Sequence, residues 1–314
     1  MRRVLCSLLL TLATSTTVTA AESRITHRVL GADKKHVAIL EPDGKVSWEY
    51  PCIGTPHDLT QLPNGNVLFI NADSEVLEVT PAKEIEWRYK PAPTSPTVKK
   101  IEVHAAQRLA DGNTLVAETG NRRLVEVDPQ GTVVKTVALT IDKPHPHRDT
   151  RLARKLDTGN YLVCHEGDGM VREYDPTGKV VWTYTLDLAG RPESPGHGVE
   201  GHGTACYGAV RLKNGHTLIA CGNGNRVIEV DPAGKTVWSV EQKELPGITL
   251  AWVTTLHALP NGNVILGNCH AGKSNPQVVE VTRDKKVVWS LNNFEVFGDS
   301  LAAVHIIDAK DSIR

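Results

Sequence analysis

The chain is poor in several things that common folds and partners require. Phe occurs three times and Met twice, so the core must rest on Val, Leu, Ile and six Trp rather than on clustered phenyl rings or thioethers. Neither sign of charge dominates, with 35 Lys plus Arg against 36 Asp plus Glu and no long basic tract. That balance argues against nucleic acid as a partner. Beyond the first residues no apolar run approaches the roughly 18 residues of a membrane span, so no transmembrane anchor is expected. Zinc-ribbon and redox CxxC spacings are also missing.

What is present is a repeat. Gly65, Gly112, Gly159, Gly215 and Gly262 follow one another at 47, 47, 56 and 47 residues. They sit in LPNGNVLF, LADGNTLV, LDTGNYLV, LKNGHTLI and LPNGNVIL, and phrases such as EVDPQG, EYDPTG and EVDPAG follow at a fixed distance. Asn-Gly and Asp-Gly supply the positive φ of tight hairpin turns. Each unit reads as four short strands that cannot bury both faces alone and must stack on neighbours. Five units start near residues 57, 104, 151, 207 and 254. Residues 28–50 supply three strands of a sixth, and AAVHIIDAKD at 302–311 supplies its first strand. The expectation is an all-β, six-bladed β-propeller of four-stranded blades, its ring closed by N-terminal strands plus a C-terminal innermost strand. Seven blades do not fit the residue count.

Residues 1–21, with Arg2 and Arg3 before an apolar run and small residues at Val18–Ala21, read as a signal peptide. A secreted or periplasmic protein, with one propeller domain over 22–314, is the expectation. Without Cys6, five cysteines remain: Cys52, Cys164, Cys206, Cys221 and Cys269. A disulfide among Cys164, Cys206 and Cys221 and buried free thiols are the two alternatives. Trp48, Trp87, Trp182, Trp238 and Trp289 each follow an outer turn and read as packing between diverging blades.

A site is expected where first strands begin and second strands end, at one mouth of the channel. Eight residues before each turn glycine stand His57, His104, Arg151, Tyr207 and Thr254; six after it stand Asn71, Glu118, His165, Cys221 and Asn268. The nine residues that lengthen the 56-residue interval fall between the third and fourth complete units and carry His197 and His202. The preceding connection carries His147 and Arg148. Imidazoles from several blades suit a divalent metal (Zn, Mn or Ca), for which His57, His104, His165 and His202 are candidates, with Glu118 as a carboxylate ligand. His57, His104, Arg151 and Tyr207 are candidates for acid–base or anion-stabilising work, with His147, Arg148 and His197 nearby. The same side chains also suit a wet, hydrogen-bonded channel wall.

The phrases PHDLTQLPNGNVLF and VHAAQRLADGNTLVAETGNRRLVEVDPQG resemble secreted bacterial β-propellers of the quinoprotein-like and arylsulfotransferase-like group. DPTGKVVW and DPAGKTVW are similar to the PQQ-like repeat of quinoprotein dehydrogenases. Those enzymes use eight blades and an adjacent cysteine pair, so the quinone PQQ is not expected here. His57-Asp58 before Pro63–Asn66 resembles six-bladed arylsulfotransferases, which implies sulfuryl handling by His57, His104 and Arg151. The multi-blade histidine pattern is also similar to that of six-bladed lyases that hold a metal through channel histidines.

The leading expectation is a propeller that binds a small polar or anionic ligand at its channel mouth, with metal-assisted lyase or hydrolase chemistry. A non-catalytic scaffold for protein or glycan and an arylsulfotransferase-like enzyme are the alternatives.

Overall fold

Six four-stranded antiparallel sheets make a β-propeller in the computed structural model, which describes residues 26–309 and 312–314. The leader read at 1–21 lies outside the described residues. Blades 2 to 6 open with innermost strands Leu59–Gln61, Glu102–Arg108, Ala153–Lys155, Gly208–Arg211 and Val253–Ala258. Blade 1 takes Val29–Ala32, His36–Leu40 and Val46–Pro51 from one end of the chain and its innermost strand, Ala303–Ile306, from the other. Leu30 pairs with His305 across that joint. Among the described residues, no helix is long and apolar enough to cross a membrane.

One element departs from an all-β description. Phe294–Phe297 forms a single helical turn, capped by the Asn293 side chain accepting from Val296 N at 3.2 Å. It buries Phe297 against blade 1, where a Cβ on Gly31 would crowd both Phe297 and Leu301. Gly31 therefore lets the last connection lie flat on the closing blade.

The sheets repeat down to their irregularities. Inner turn glycines Gly65, Gly112, Gly159, Gly215 and Gly262 have φ between 86° and 88°. Between its third and fourth strands every blade carries a register shift, at Ile39/Leu40, Glu78/Val79, Glu126/Val127, Glu173/Tyr174, Glu229/Val230 and Glu280/Val281. Such bulges raise the local twist that lets blades fan around an axis. Middle strands such as Val67–Asn71 and Thr217–Ala220 are almost wholly buried because a blade covers each face, whereas Val180–Thr185 alternates between partly and fully exposed.

Charged clamps join the blades. The third-strand glutamates Glu78, Glu126, Glu173, Glu229 and Glu280 are held by Arg108, Lys155, Arg211, Arg283 and His27 of the following blade, at 2.5 to 2.7 Å. The same arginines cover the outer tryptophans, with Arg108 over Trp87, Arg211 over Trp182 and Arg283 over Trp238 at 4.3 to 5.5 Å. Packing between blades is thus the observed role of these rings.

All five described cysteines are free and buried, so the disulfide alternative is not realised. Cys164, Cys206 and Cys221 share one apolar cluster between blades 4 and 5. There the Cys206 thiol points at the Met170 and His165 carbonyls, at 3.2 and 3.4 Å.

His27 tests the closing clamp. Burial depresses its pKa, but the hydrogen bond and charge of Glu280 outweigh that effect and leave it raised. The protonated form is then favoured in the folded state. Its stabilisation is fully present below about pH 6.5 and is lost as pH rises through the elevated folded value. His27→Ala strands the buried Glu280 carboxylate and should cost about 3 kcal/mol at pH 5.5 and clearly less at pH 9, read from urea unfolding. A cost independent of pH would show that His27 acts through packing on Trp289 instead.

Candidate functional site at the channel mouth

The first column of sequence candidates converges. The His57 and His104 rings lie 4.5 Å apart between centroids, and His147 stands 5.2 Å from His104 and 6.1 Å from His57. Tyr207 Oη is 3.2 Å from His57 Nδ1 and also donates to the His57 carbonyl at 3.2 Å. Arg151 enters from the next blade, with Nη1 3.0 Å from His104 Nδ1 and Nη2 2.9 Å from His147 Nε2. The Arg151 Nε pairs with Glu166.

Glu102 completes the group. Its Oε2 lies 2.9 Å from His104 Nε2 and 2.5 Å from His147 Nδ1, and its other oxygen pairs with Lys100. Glu102, His104 and His147 are a set of side chains able to hold a metal ion. His104 sits at a bulge, with the ladder shifting between Val103 and Ala105, a device often found where a side chain must be aimed.

The electrostatics favour neutral imidazoles beside an ionised carboxylate. Burial, aided by the positive charge of Arg151, pushes His104 down to about 4. Burial does the same to His57, reinforced by Arg151, and leaves it well below the ordinary value. Burial alone would raise Glu102, but hydrogen bonds with His104, His147 and Lys100 overcome it and hold the carboxyl far below the usual range. Burial pushes the Tyr207 hydroxyl well up, so it remains a proton donor.

His104 has two acceptors and one donor within reach. Its Nδ1 faces the Thr150 carbonyl at 2.9 Å while its Nε2 faces the Glu102 carboxylate at 2.9 Å. A neutral imidazole has one N–H for two acceptors. With the proton on Nε2, that nitrogen donates to Glu102 and the Nδ1 lone pair accepts from Arg151 Nη1; with the proton on Nδ1, the Thr150 carbonyl is served and the Nε2 lone pair faces the carboxylate.

The second column does not join this group. Glu118 accepts from Tyr89, Asn121 and Arg123, each at 2.6 Å. His165 bonds the Asp149 carbonyl at 2.8 Å and Tyr174 Oη at 2.9 Å, which occupies both ring nitrogens. These residues lie one strand farther from the axis and are consumed in bracing neighbouring strands and loops. His202 is likewise spent inside its own loop, bonding the Leu188 carbonyl at 2.8 Å. Of the candidate metal set of His57, His104, His165 and His202, only His104 belongs to the group of side chains able to hold an ion, in which Glu102 and His147 join it. Arg148 is exposed and makes no ion pair with a described carboxylate.

His197 stacks on Trp252 at 4.0 Å and 26° and approaches His270 at 5.8 Å. Its loop is fastened rather than loose. Asn225 donates to the Gly201 carbonyl at 2.6 Å and Gln242 to that of Val199 at 2.7 Å, while Ser194 and His202 pair as a β-bridge. Glu102, Glu166 and Trp252 were not singled out by the repeat count. Two-residue alternation along the strand was the usable signal for Glu102, since it places Glu102 beside His104.

Beneath His57 the channel narrows to a cavity of about 20 Å³, room for roughly one water. Its floor is closed by Asp58, bidentate to Arg154 at 2.7 and 2.8 Å and 3.4 Å from Arg314.

Comparison with known proteins adds the fold and little chemistry. No family model matches the chain, and no curated protein does. A protein of unknown function from Bacteroides caccae is 26% identical, with a TM-score of 0.73 over 89% of this chain and 98% of that one. A catalytically inactive virginiamycin B lyase from Staphylococcus aureus, solved with quinupristin, is 11% identical with a TM-score of 0.59 over 93% and 95%. The WD40 propeller of Doa1 is 12% identical with a TM-score of 0.55 over 94% and 93%. The chain is a six-bladed propeller distantly related to bacterial proteins of propeller fold, and neither a quinoprotein nor an arylsulfotransferase family is established for it.

Gly120 locks the approach to Glu102. Its φ is 91°, and a Cβ there would run into the Lys100 carbonyl oxygen, whereas Gly159 at φ 87° has open space. Gly120→Ala should cost more than about 2 kcal/mol and Gly159→Ala nearer 1 kcal/mol in urea unfolding. Equal costs would mean that the Lys100 segment yields freely and does not fix Glu102.

Proposed function

We propose that the channel mouth is a divalent-metal site on an exported protein, built by Glu102, His104 and His147, that binds a small acidic substrate for lyase or hydrolase chemistry. The observation that carries this reading is the convergence of Glu102, His104 and His147, whose ligand atoms all lie within 4.8 Å of one another. Glu102, His104 and His147 would hold a cation, and His104 Nδ1–H would then serve the Thr150 carbonyl, the usual outer-shell arrangement of a metal-bound imidazole. Two imidazoles and one carboxylate suit zinc or manganese better than calcium, which prefers all-oxygen shells. A bound metal would polarise an acidic or carbonyl oxygen of the substrate.

The surrounding side chains have distinct tasks in this scheme. Arg151, braced by Glu166, orients the substrate's acidic group. His57, neutral at physiological pH, is able to accept a proton, and Tyr207 holds its ring through Nδ1 while donating to its carbonyl. The leader-like residues 1–21 support export.

Equilibrium dialysis followed by metal analysis tests the centre. About one zinc or manganese per chain is expected, with Glu102→Gln and His147→Ala each weakening binding at least tenfold while the thermal unfolding midpoint stays close to wild type. Failure of the parent protein to take up either metal would overturn the reading.

Arg151 between His104 and His147 also favours sulfuryl handling, because transferring oxyanions need convergent donors. Incubation with an aryl sulfate and a phenolic acceptor should then release phenol only when acceptor is present, and His57→Ala/His104→Ala should abolish release. Equal release by parent and variant would remove this second reading.

A further inference from the structure

The arginines are unevenly satisfied. Among the described residues, Arg122, Arg148 and Arg191 make no ion pair, while those at the opposite face, including Arg108, Arg154, Arg211, Arg283 and Arg314, are all engaged by carboxylates. The three unpaired ones belong to mouth-side loops: the turn after the second strand of blade 3, the connection into blade 4, and the inserted loop before blade 5. Fold stability accounts for the paired set. It does not account for free guanidinium groups gathered at one face.

A groove of about 310 Å³ adjoins the metal-capable group there, lined by Lys99, Lys100, Arg122 and His145, with Gly120 and Asp149 at its base. That volume is at the lower end for small-molecule pockets. The groove and the centre share a wall, since Lys100 pairs with the Glu102 carboxylate whose other oxygen meets His104 and His147. Asp149 accepts from the backbone N–H groups of His145 at 2.5 Å and Gly120 at 3.1 Å, and its single carboxylate is outnumbered by the Lys99, Lys100 and Arg122 cations of the lining. The Lys99 ammonium rests on the Pro96 carbonyl at 2.7 Å, and the Arg122 guanidinium is exposed.

We infer that this groove is a second acid-binding subsite, so that the substrate is a small dianion with one acidic group at the Glu102–His104–His147 centre and the other between Lys99 and Arg122. This rests on the proposed function and narrows its substrate class. Carboxylate and sulfate-like groups share the required chemistry, a compact oxyanion that accepts from lysine and arginine.

The probes are straight-chain dicarboxylates from succinate to suberate and monocarboxylates of equal length, titrated calorimetrically into the zinc-loaded full protein at low ionic strength. At least one dicarboxylate should bind about tenfold more tightly than its monocarboxylate partner, a difference of about 1.4 kcal/mol, and added salt should shrink that gap. Lys99→Ala/Arg122→Gly should abolish the preference and leave monocarboxylate affinity unchanged. Glycine suits position 122 because its φ is 55°. A parallel series of alkane disulfonates and monosulfonates distinguishes carboxylate from sulfate-like acids. Monocarboxylate binding without a dianion preference, or a preference that survives the double variant, overturns the subsite alone. Absence of binding by any acid overturns the subsite and the acidic-substrate reading together.

Discussion

Everything in this molecule depends on each blade being held to the next one across a gap that widens outward. A single four-stranded sheet has two apolar faces and no partner within its own repeat. The third-strand glutamates of blades 2 to 6 answer that need at a fixed radius. Each reaches a cation of the following blade, and three of those cations also cap an outer tryptophan. Breaking one member would strand a buried charge, which costs far more than a surface pair. The clamp thereby fixes angular spacing as well as attachment, and the last one, from Glu280 to His27, joins the two ends of the chain's path.

The mouth uses the same inter-blade principle for a different purpose. Arg151 of blade 4 meets His104 of blade 3, and Tyr207 of the connection into blade 5 crosses to His57 of the connection into blade 2. None of these contacts supports a sheet. Where the clamps pair full charges with little ambiguity, the mouth sets neutral imidazoles between acceptors. It also leaves nearby arginines unpaired. Local interactions that are poorly matched inside an otherwise well-matched fold are where function is expected.

How far the sequence carried depended on periodicity. The turn glycines locate five of the six blades, and counting back from them identifies His57, His104, Arg151 and Tyr207 as residues of one radius. Counting forward was weaker, because Glu118 and His165 lie one strand outward and are absorbed by Arg123 and Tyr174. Glu102 escaped the count because it lies off the repeat's marked columns, and His147 because its loop has no counterpart in the other units. The Phe294–Phe297 turn was hidden for a similar reason: it belongs to the closure, which happens once. Repetition makes a fold legible, and function sits where repetition lapses.

The histidine tautomers tie the two halves of the proposed site together. As drawn, Arg151 Nη2 donates to His147 Nε2, which requires that nitrogen to be an acceptor and leaves Nδ1–H on Glu102. A metal taking Nδ1 moves the imidazole proton to Nε2, and a guanidinium N–H then faces another N–H. Arg151 loses a partner at that moment, although Glu166 still braces it. An incoming oxyanion restores what it has lost, by accepting from both Arg151 and the His147 Nε2–H. Under this chemistry, cation and anion assist one another without any large movement of the backbone. On the proposed reading, the order would follow from the proton inventory of one imidazole, because a metal at His147 Nδ1 would create the donors that an acidic substrate then satisfies.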